Sequence, residues 1–468
     1  MMQLDYSELH YTQSIPGTER SESVEDKRFH DTLTANIHKN EKGNWEMPLP
    51  FKTSDVTLPN NRDQCLKRLL GIKRKLLKNN KTLKHYTEFM QKIFHKNHAS
   101  PVPSEELKTS AGKVWYLPHF DIYHPKKQDQ IRVVFDCSAV FQDQSLNKYL
   151  LQGPDILNSL VGVLSRFQKE ETAVTCDIEQ MFHSFYVNSE HRDFLRFLWF
   201  KDNDLNGQIR EYRMNVHLFG AVSSPGVVNF SLRATAEAGR KQFGKTAADF
   251  LQQDFYVDDG LKSFATPKDA IDVINKTKIV CSAAFLRVHK FASNSKAVLD
   301  ALPAEDRAKD LKDLDLRHDV LPVQRSLGTY WCIETDTIGF HIELKDKPLT
   351  QKGILSTVSS VYDPLGIVAP VILVGKQLLQ ELCHDGIEWD DPVPSHIHSQ
   401  WEKWRSELPL LEKVTIARCV KPPSFGEPVI TELHSFSDAS DLGLGQVTYL
   451  RLVNNSNQIH VRFLMGKA

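Results

Sequence analysis

Two short apolar runs that each end in aspartate constrain this chain more than any other feature. Ala173-Val174-Thr175-Cys176 runs into Asp177, and 81 residues later Phe255-Tyr256-Val257 runs into Asp258-Asp259-Gly260. Apolar, β-rich stretches of this length read as strands. Gly260 is expected to serve the following turn by taking a positive φ. A lone Asp pair is ordinarily a solvated turn. Two strands lying side by side, however, pool three carboxylates at one end of a sheet, and like charges gathered there call for a cation. Hard oxygen donors of this kind suit Mg²⁺, which keeps waters and adds phosphate ligands. Two such ions about 3.5–4 Å apart activate an attacking oxygen and stabilise a leaving one.

The rest of the chain has room for this. At 468 residues, 41% hydrophobic and 25% charged, it accommodates two to four domains with their own cores. Residues 1–60 read as polar and loop-like, ending in Pro48, Pro50 and Pro59. Over 61–98 apolar residues recur at helical spacing from Leu66 to Phe94, which predicts a long helix. Its other face is basic: eleven Lys/Arg stand against Asp63 and Glu88, a local net of +9 inside a chain whose formal charge is -1. Such a face is either simply solvated or a contact surface for a phosphate backbone. From Val114 short strands are expected at Val114–Leu117, Ile131–Asp136, Ala173–Cys176 and Asp254–Val257. A helix is expected to start at Ser224-Pro225, with Ser224 as N-cap, and to stop at Gly244. The mixture predicts an α+β fold with an antiparallel sheet. No apolar run is long enough for a membrane span, and Met1 to Glu22 lacks an apolar signal-peptide core. The seven cysteines are scattered and never form a CxxC pair, which predicts buried thiols in a reducing compartment.

Tyr256-Val257-Asp258-Asp259 resembles the Tyr-x-Asp-Asp box of reverse transcriptases, and Asp177 matches the aspartate of their first palm motif. Phe219-Gly220 through Ser224-Pro225 resembles the turn that opens the helix beneath the template pair. Leu286 to Asn294, with Lys290, resembles the fourth palm motif. Leu327 to Trp331 resembles the primer grip, and Arg132 to Asp136 the fingers strand. More specifically, the chain is similar to the polymerase of BEL/Pao long-terminal-repeat retrotransposons. The residues that carry this are Trp45 to Pro50, Val133 to Ala139, Leu146-Asn147, Gln152 to Asp155, Tyr362 to Gly366, Trp401 with Trp404, and Phe436 to Ser440.

The resemblance implies a right-hand polymerase of palm, fingers and thumb with an antiparallel palm sheet, then a connection-like domain and a truncated RNase H-like start. The implied boundaries are a polar segment 1–60, a basic helical segment 61–110, fingers and palm 111–320, a thumb or connection region 321–430, and the RNase H-like start 431–468. The implied activity is RNA-directed DNA synthesis on a template–primer from deoxynucleoside triphosphates, with two Mg²⁺ ions or Mn²⁺ as substitute. Asp177, Asp258 and Asp259, with the carbonyl of Ile178, would be the metal ligands. Phe182 would exclude a ribose 2′-hydroxyl. Arg132, backed by Lys126 and Lys127, would meet the triphosphate, and Lys290 would protonate pyrophosphate. Two departures stand out: Phe219 occupies the place of a retroviral Gln, and Ala283-Ala284 replaces a glycine before Lys290.

In the last third, the stretch around Asp363 resembles a segment often labelled an aspartic peptidase. Asp363 lies in Asp-Pro-Leu-Gly and lacks the usual Asp-Thr/Ser-Gly loops, so a turn is the better reading. Asp438 would be the first ligand of an RNase H site whose remaining carboxylates lie outside the sequence. The competing reading of the whole is a defunct or co-opted nucleic-acid-binding remnant of a retrotransposon. The resemblance further implies an intracellular location, in cytoplasm, virus-like particle or nucleus.

Overall fold

A computed structural model describes residues 23–108, 112–124, 127–308, 313–315 and 329–468. Lys126, Leu327 and Gly328 lie outside the described residues, as do residues 1–22 of the segment 1–60.

The two Asp-ended runs do pair. Strand β1 (Thr172–Ile178) lies at the centre of a four-stranded antiparallel sheet, beside β2 (Phe255–Tyr256), β3 (Asp259–Phe264) and β4 (Val288–Ser293), in the order β2-β3-β1-β4. Alternation along β1 sends Val174, Cys176 and Ile178 to one face, where they join a core built with Val228, Leu232, Phe250 and Ile274 of the helices Ser224–Phe243, Lys245–Gln253 and Pro267–Ser282. Ala173 faces the other way, with Leu261, Phe167, Trp331 and Ile338. The helix at 224–243 begins one residue earlier than expected, with Ser223 in the N-cap position, and Gly244 ends it at φ +80°.

Three local expectations are corrected. The segment before residue 60 is not all loop: Val24–Asn36 is a helix, capped by the Ser23 side chain and burying Phe29 and Leu33. Those two residues, one helical turn apart, were hidden by polar neighbours. The predicted long helix is two, Arg62–Leu76 and Asn80–His95. Asn79 stops the first and caps the second, its side chain accepting from the Thr82 amide at 3.1 Å. Val114–Leu117 is extended but unpaired except for a bridge from Tyr116 to Arg196. Its Tyr116 backbone is instead satisfied on both sides by the Asn61 amide, at 2.7 and 2.8 Å. The regular hairpin begins after it, His119–His124 with Lys127–Phe135.

The last third has two parts. Strands β5 (Thr329–Cys332), β6 (Thr337–Phe340) and β7 (Thr415–Ala417) form a small sheet beside the helices Gln351–Val358, Ala369–His384 and Ser395–Glu407, whose core holds Ile354, Leu378, Trp401 and Trp404. A meander follows: β8 (Pro428–Ser440), β9 (Gly443–Asn454) and β10 (Ile459–Lys467). Buried Arg418 ties the first part to the root of β1. Its guanidinium makes two bonds to the Asp336 carboxylate, at 2.7 and 2.9 Å, and donates to the carbonyls of Phe167 and Glu171. All seven cysteines are free; four are buried, but Cys383 is exposed. Among the described residues no helix is long and apolar enough to cross a membrane.

Candidate active site

Register brings the aspartates together. Asp259 pairs directly with Asp177 across β3 and β1, and Tyr256 pairs with Asp259, which leaves Val257-Asp258 as a two-residue turn. The Ile178 amide donates to the Asp258 carbonyl at 2.9 Å and so pins that turn to the end of β1. The positive φ expected at Gly260 lies instead at Val257, φ +57°. This is the conformation a tight hairpin demands, yet a β-branched residue adopts it at a cost. Gly260 matters for a different reason. A Cβ there would stand 2.7 Å from both the Cys176 sulfur and the Phe255 ring, so glycine lets the hairpin lie flat on β1. The hairpin is further anchored by Asp254, fully buried between Arg166 (2.7 Å) and Lys262 (2.5 Å).

The Asp177 carboxylate is held on both oxygens. His289 Nε2 lies 2.8 Å from Oδ1, and Lys290 Nζ lies 2.8 Å from Oδ2. Lys290, expected at a departing pyrophosphate, thus lies on the Asp177 carboxylate. His289, paired in register with Asp177, is a site residue that sequence reasoning passed over. Only long-range register identifies it, and the sequence carries no local signal for that. Asp259 is buried. Among the described residues no three His, Cys, Asp or Glu side chains are gathered closely enough to form a ready-made metal cage. Like-charged groups set opposite each other on a sheet repel, and the two cationic or donor side chains on Asp177 draw its carboxylate to themselves. The carboxylates at positions 177 and 259 come from paired strands, with Asp258 in the turn between.

A second group lies on the chain just after Asp177. Phe182, in the turn Met181–Ser184, meets Phe219 edge to face, ring centres 5.1 Å apart. The Arg132 guanidinium sits over the Phe219 ring at 5.9 Å. Phe219, 45% exposed, therefore joins two residues the sequence had put forward separately. Its loop is held by Asn147, whose side chain donates to the Gly220 carbonyl at 3.1 Å and accepts from the Val222 amide at 2.9 Å. Gly220 has no room for a Cβ, which would meet the Phe135 carbonyl at 2.4 Å. Lys127 begins the strand that carries Arg132.

The other candidates stand apart. Asp363 takes backbone amides on both carboxylate oxygens, Ile367 at 2.8 Å and Val368 at 2.7 Å. Burial pushes its pKa up while those bonds pull it back. This is a carboxylate that closes a turn. Asp438 is exposed on β8, and its cross-strand partner is Gly445.

Residues 350–468 match the family described as the Pao retrotransposon-like RNaseH-like domain. No curated protein matches the chain by sequence. Among solved structures, a foamy viral protease–reverse transcriptase (dRH) in complex with double-stranded DNA matches 82% of this chain at 15% identity and a TM-score of 0.49. This chain spans 56% of that protein's length.

Proposed function

We infer, for a chain that belongs with the Pol sequences of BEL/Pao retrotransposons, that it is an RNA-directed DNA polymerase whose active centre is Asp177, Asp258 and Asp259. The observation that carries this is the direct pairing of Asp177 with Asp259 across adjacent strands, with Asp258 in the connecting turn. In this reading the sheet β2-β3-β1-β4 is the palm. The hairpin 119–135 with the helices 62–95 forms the fingers.

The three aspartates, with the Ile178 carbonyl, would hold two Mg²⁺ ions, which supply charge for activating a primer 3′-hydroxyl and for the departing pyrophosphate. The remaining work falls to side chains. Phe182 and Phe219 present an aromatic corner that packs against the sugar of an incoming nucleotide and leaves no space for a 2′-hydroxyl. Arg132, stacked on Phe219, offers a fork of donors to the triphosphate. Lys290 exchanges Asp177 for the leaving phosphate and donates its proton there. The exposed basic side chains Lys67, Arg74, Lys84 and Lys92 on the two helices, and Lys78 in the turn between them, meet the template–primer backbone.

The test is primer extension by the purified chain on a homopolymer template with Mg²⁺ or Mn²⁺. Deoxynucleotide incorporation that disappears in Asp258→Asn is the expected result. Salt-dependent template–primer binding with no extension under either metal would replace this reading with that of a nucleic-acid-binding remnant.

A further inference from the structure

We propose that the strand Trp45–Met47 is a strap that sets the spacing of Phe182 and Phe219, with Met47 the positioning residue through which it governs the choice of deoxynucleotides over ribonucleotides. The inference rests on the polymerase reading and adds to it a determinant of sugar selection that lies behind the aromatic corner.

The two stretches that carry the corner are bonded to each other just behind it. The chain leaves Phe182 through Phe185 into the strand Tyr186–Val187, and it reaches Phe219 through residues 215–217. The Val187 amide donates to the Asn215 carbonyl at 2.8 Å, and the His217 amide to the Phe185 carbonyl at 2.9 Å. The strap also lies along the first of these stretches. It pairs parallel with it, Glu46 with Tyr186 and Met47 with Val187, and the Asn188 amide donates to the Met47 carbonyl at 2.9 Å. Arg192 locks the pairing: its guanidinium donates to the Val187 carbonyl at 2.7 Å and to the Glu46 carboxylate at 3.1 Å.

Alternation along a strand turns Trp45 and Met47 the same way, onto the helix 224–243. Trp45 Nε1 donates to Thr235 Oγ1 at 2.9 Å, and the Ser231 hydroxyl lies 2.8 Å from the Met47 sulfur. Ser231 and Thr235 are neighbours on one face of that helix, so the step of the strand matches the step of the helix. This helix begins where the Phe219 loop ends. Met47 therefore touches both supports, with its backbone on the Phe182 side and its side chain on the Phe219 side. It is fully buried, in a core shared with Met181 and Phe185, on either side of Phe182. A ring that rejects a hydroxyl by bulk works only if it cannot retreat. Phe182 and Phe219 meet edge to face at the open end of these supports, and the strap fixes how far apart the supports stand.

The experiment measures the ratio of deoxynucleotide to ribonucleotide incorporation in primer extension by the full chain, with thermal melting recorded beside it. Met47→Ala is expected to lower that ratio by about 10-fold, the smaller end of what a methylene-sized misfit changes in a pocket. Met47→Leu, of similar volume, should stay near wild type. Ile274→Ala is the control: it opens a cavity of the same kind on another helix of the same core, and should melt lower with its ratio unchanged. In a Phe182→Ala background, Met47→Ala should lower the ratio no further, because the ring it positions is gone. Equal ratios in wild type and Met47→Ala would overturn the role of Met47. So would a fall in Ile274→Ala as large as that in Met47→Ala, or a further fall in the Phe182→Ala background. Should Met47→Ala not fold, Glu46→Gln loosens the strap only at Arg192, and an unchanged ratio there overturns the assignment equally. A wild type that extends primers but takes both sugars alike removes this assignment and leaves the polymerase reading standing. A wild type that extends no primer removes both.

Discussion

Asp177 and Asp438 are both strand-borne acids in antiparallel sheets, and both match motifs of metal-dependent nucleic-acid enzymes in the sequence. The folded chain treats them very differently. Asp177 lies in the middle strand of its sheet, opposite Asp259 on one side and His289 on the other. Asp438 is exposed, opposite Gly445, on a hairpin whose neighbouring Phe436, Leu442 and Leu444 are exposed as well. An acid at the end of a strand becomes part of a site through the residues that register sets beside it. The same residue type, in an equally suggestive local sequence, remains a surface group where register supplies glycine.

The sharpest way to break this contrast is to neutralise each acid. Asp177→Asn is expected to reduce primer extension by at least about 10³-fold, a loss of some 4 kcal/mol of transition-state stabilisation. Asp438→Asn is expected to leave it unchanged. Steady-state incorporation measured on both variants decides, and equal losses would erase the distinction. Next in size is the link between the regions. Arg418→Ala strands the Asp336 carboxylate and unties Phe167 and Glu171, and breaking a buried pair from one side costs roughly 3–5 kcal/mol. Urea denaturation should show this as a lower midpoint, with extension reduced because β1 loses its anchored root.

A smaller effect separates two glycines. Gly260→Ala, with no room beside Cys176 and Phe255, is expected to cost about 1–3 kcal/mol by overpacking. Gly445→Ala, opposite Asp438 and with nothing within 4 Å of the added methyl, should be neutral or slightly stabilising in the same denaturation experiment. The smallest effect is a pH dependence. Burial pushes His119 down to about 4 and His217 to about 3, so the unfolded chain takes up protons there at a pH where the folded chain does not. Their contribution to stability is complete above the ordinary histidine value of 6.5 and is lost progressively as pH falls from there toward 4. In the meander burial lowers His460 as well, one histidine against these two. Calorimetry from pH 7 to 4.5 should therefore lower the melting temperature of the first region by a few degrees more than that of the meander.

Much of the site's skeleton was legible in the sequence, because short-range chemistry dictates it. An apolar run ending in acids favours a strand that delivers them to one end of a sheet, and a Ser-Pro pair favours a helix start. Legibility stopped where contacts depend on residues far away. The polar segment before residue 60 hid Phe29 and Leu33, whose burial is defined by a helix some two hundred residues on. Gly260 was expected to take a positive φ; that φ lies at Val257, and Gly260 is required by a crowded neighbour strand instead. The Asn79 cap could have been read: two asparagines interrupt the helical spacing, and asparagine favours caps over helix interiors. Phe219 looked like the loss of a contact and is the ring that Phe182 and Arg132 share. His289 and Arg418 had no local signature, because both owe their importance to partners more than a hundred residues earlier in the chain.

The Arg418 clamp also sets a timetable. Its guanidinium binds the Phe167 carbonyl across 251 residues of sequence. At ribosomal rates of about 5–20 residues per second, that interval is roughly 12–50 s of synthesis. For that time the strand bearing Asp177 is already made while the side chain that fastens its root is not. The sheet β2-β3-β1-β4 thus gains this fastening only when the final third emerges, and a nascent chain that stalls before Arg418 presents Asp177 on an unfastened strand.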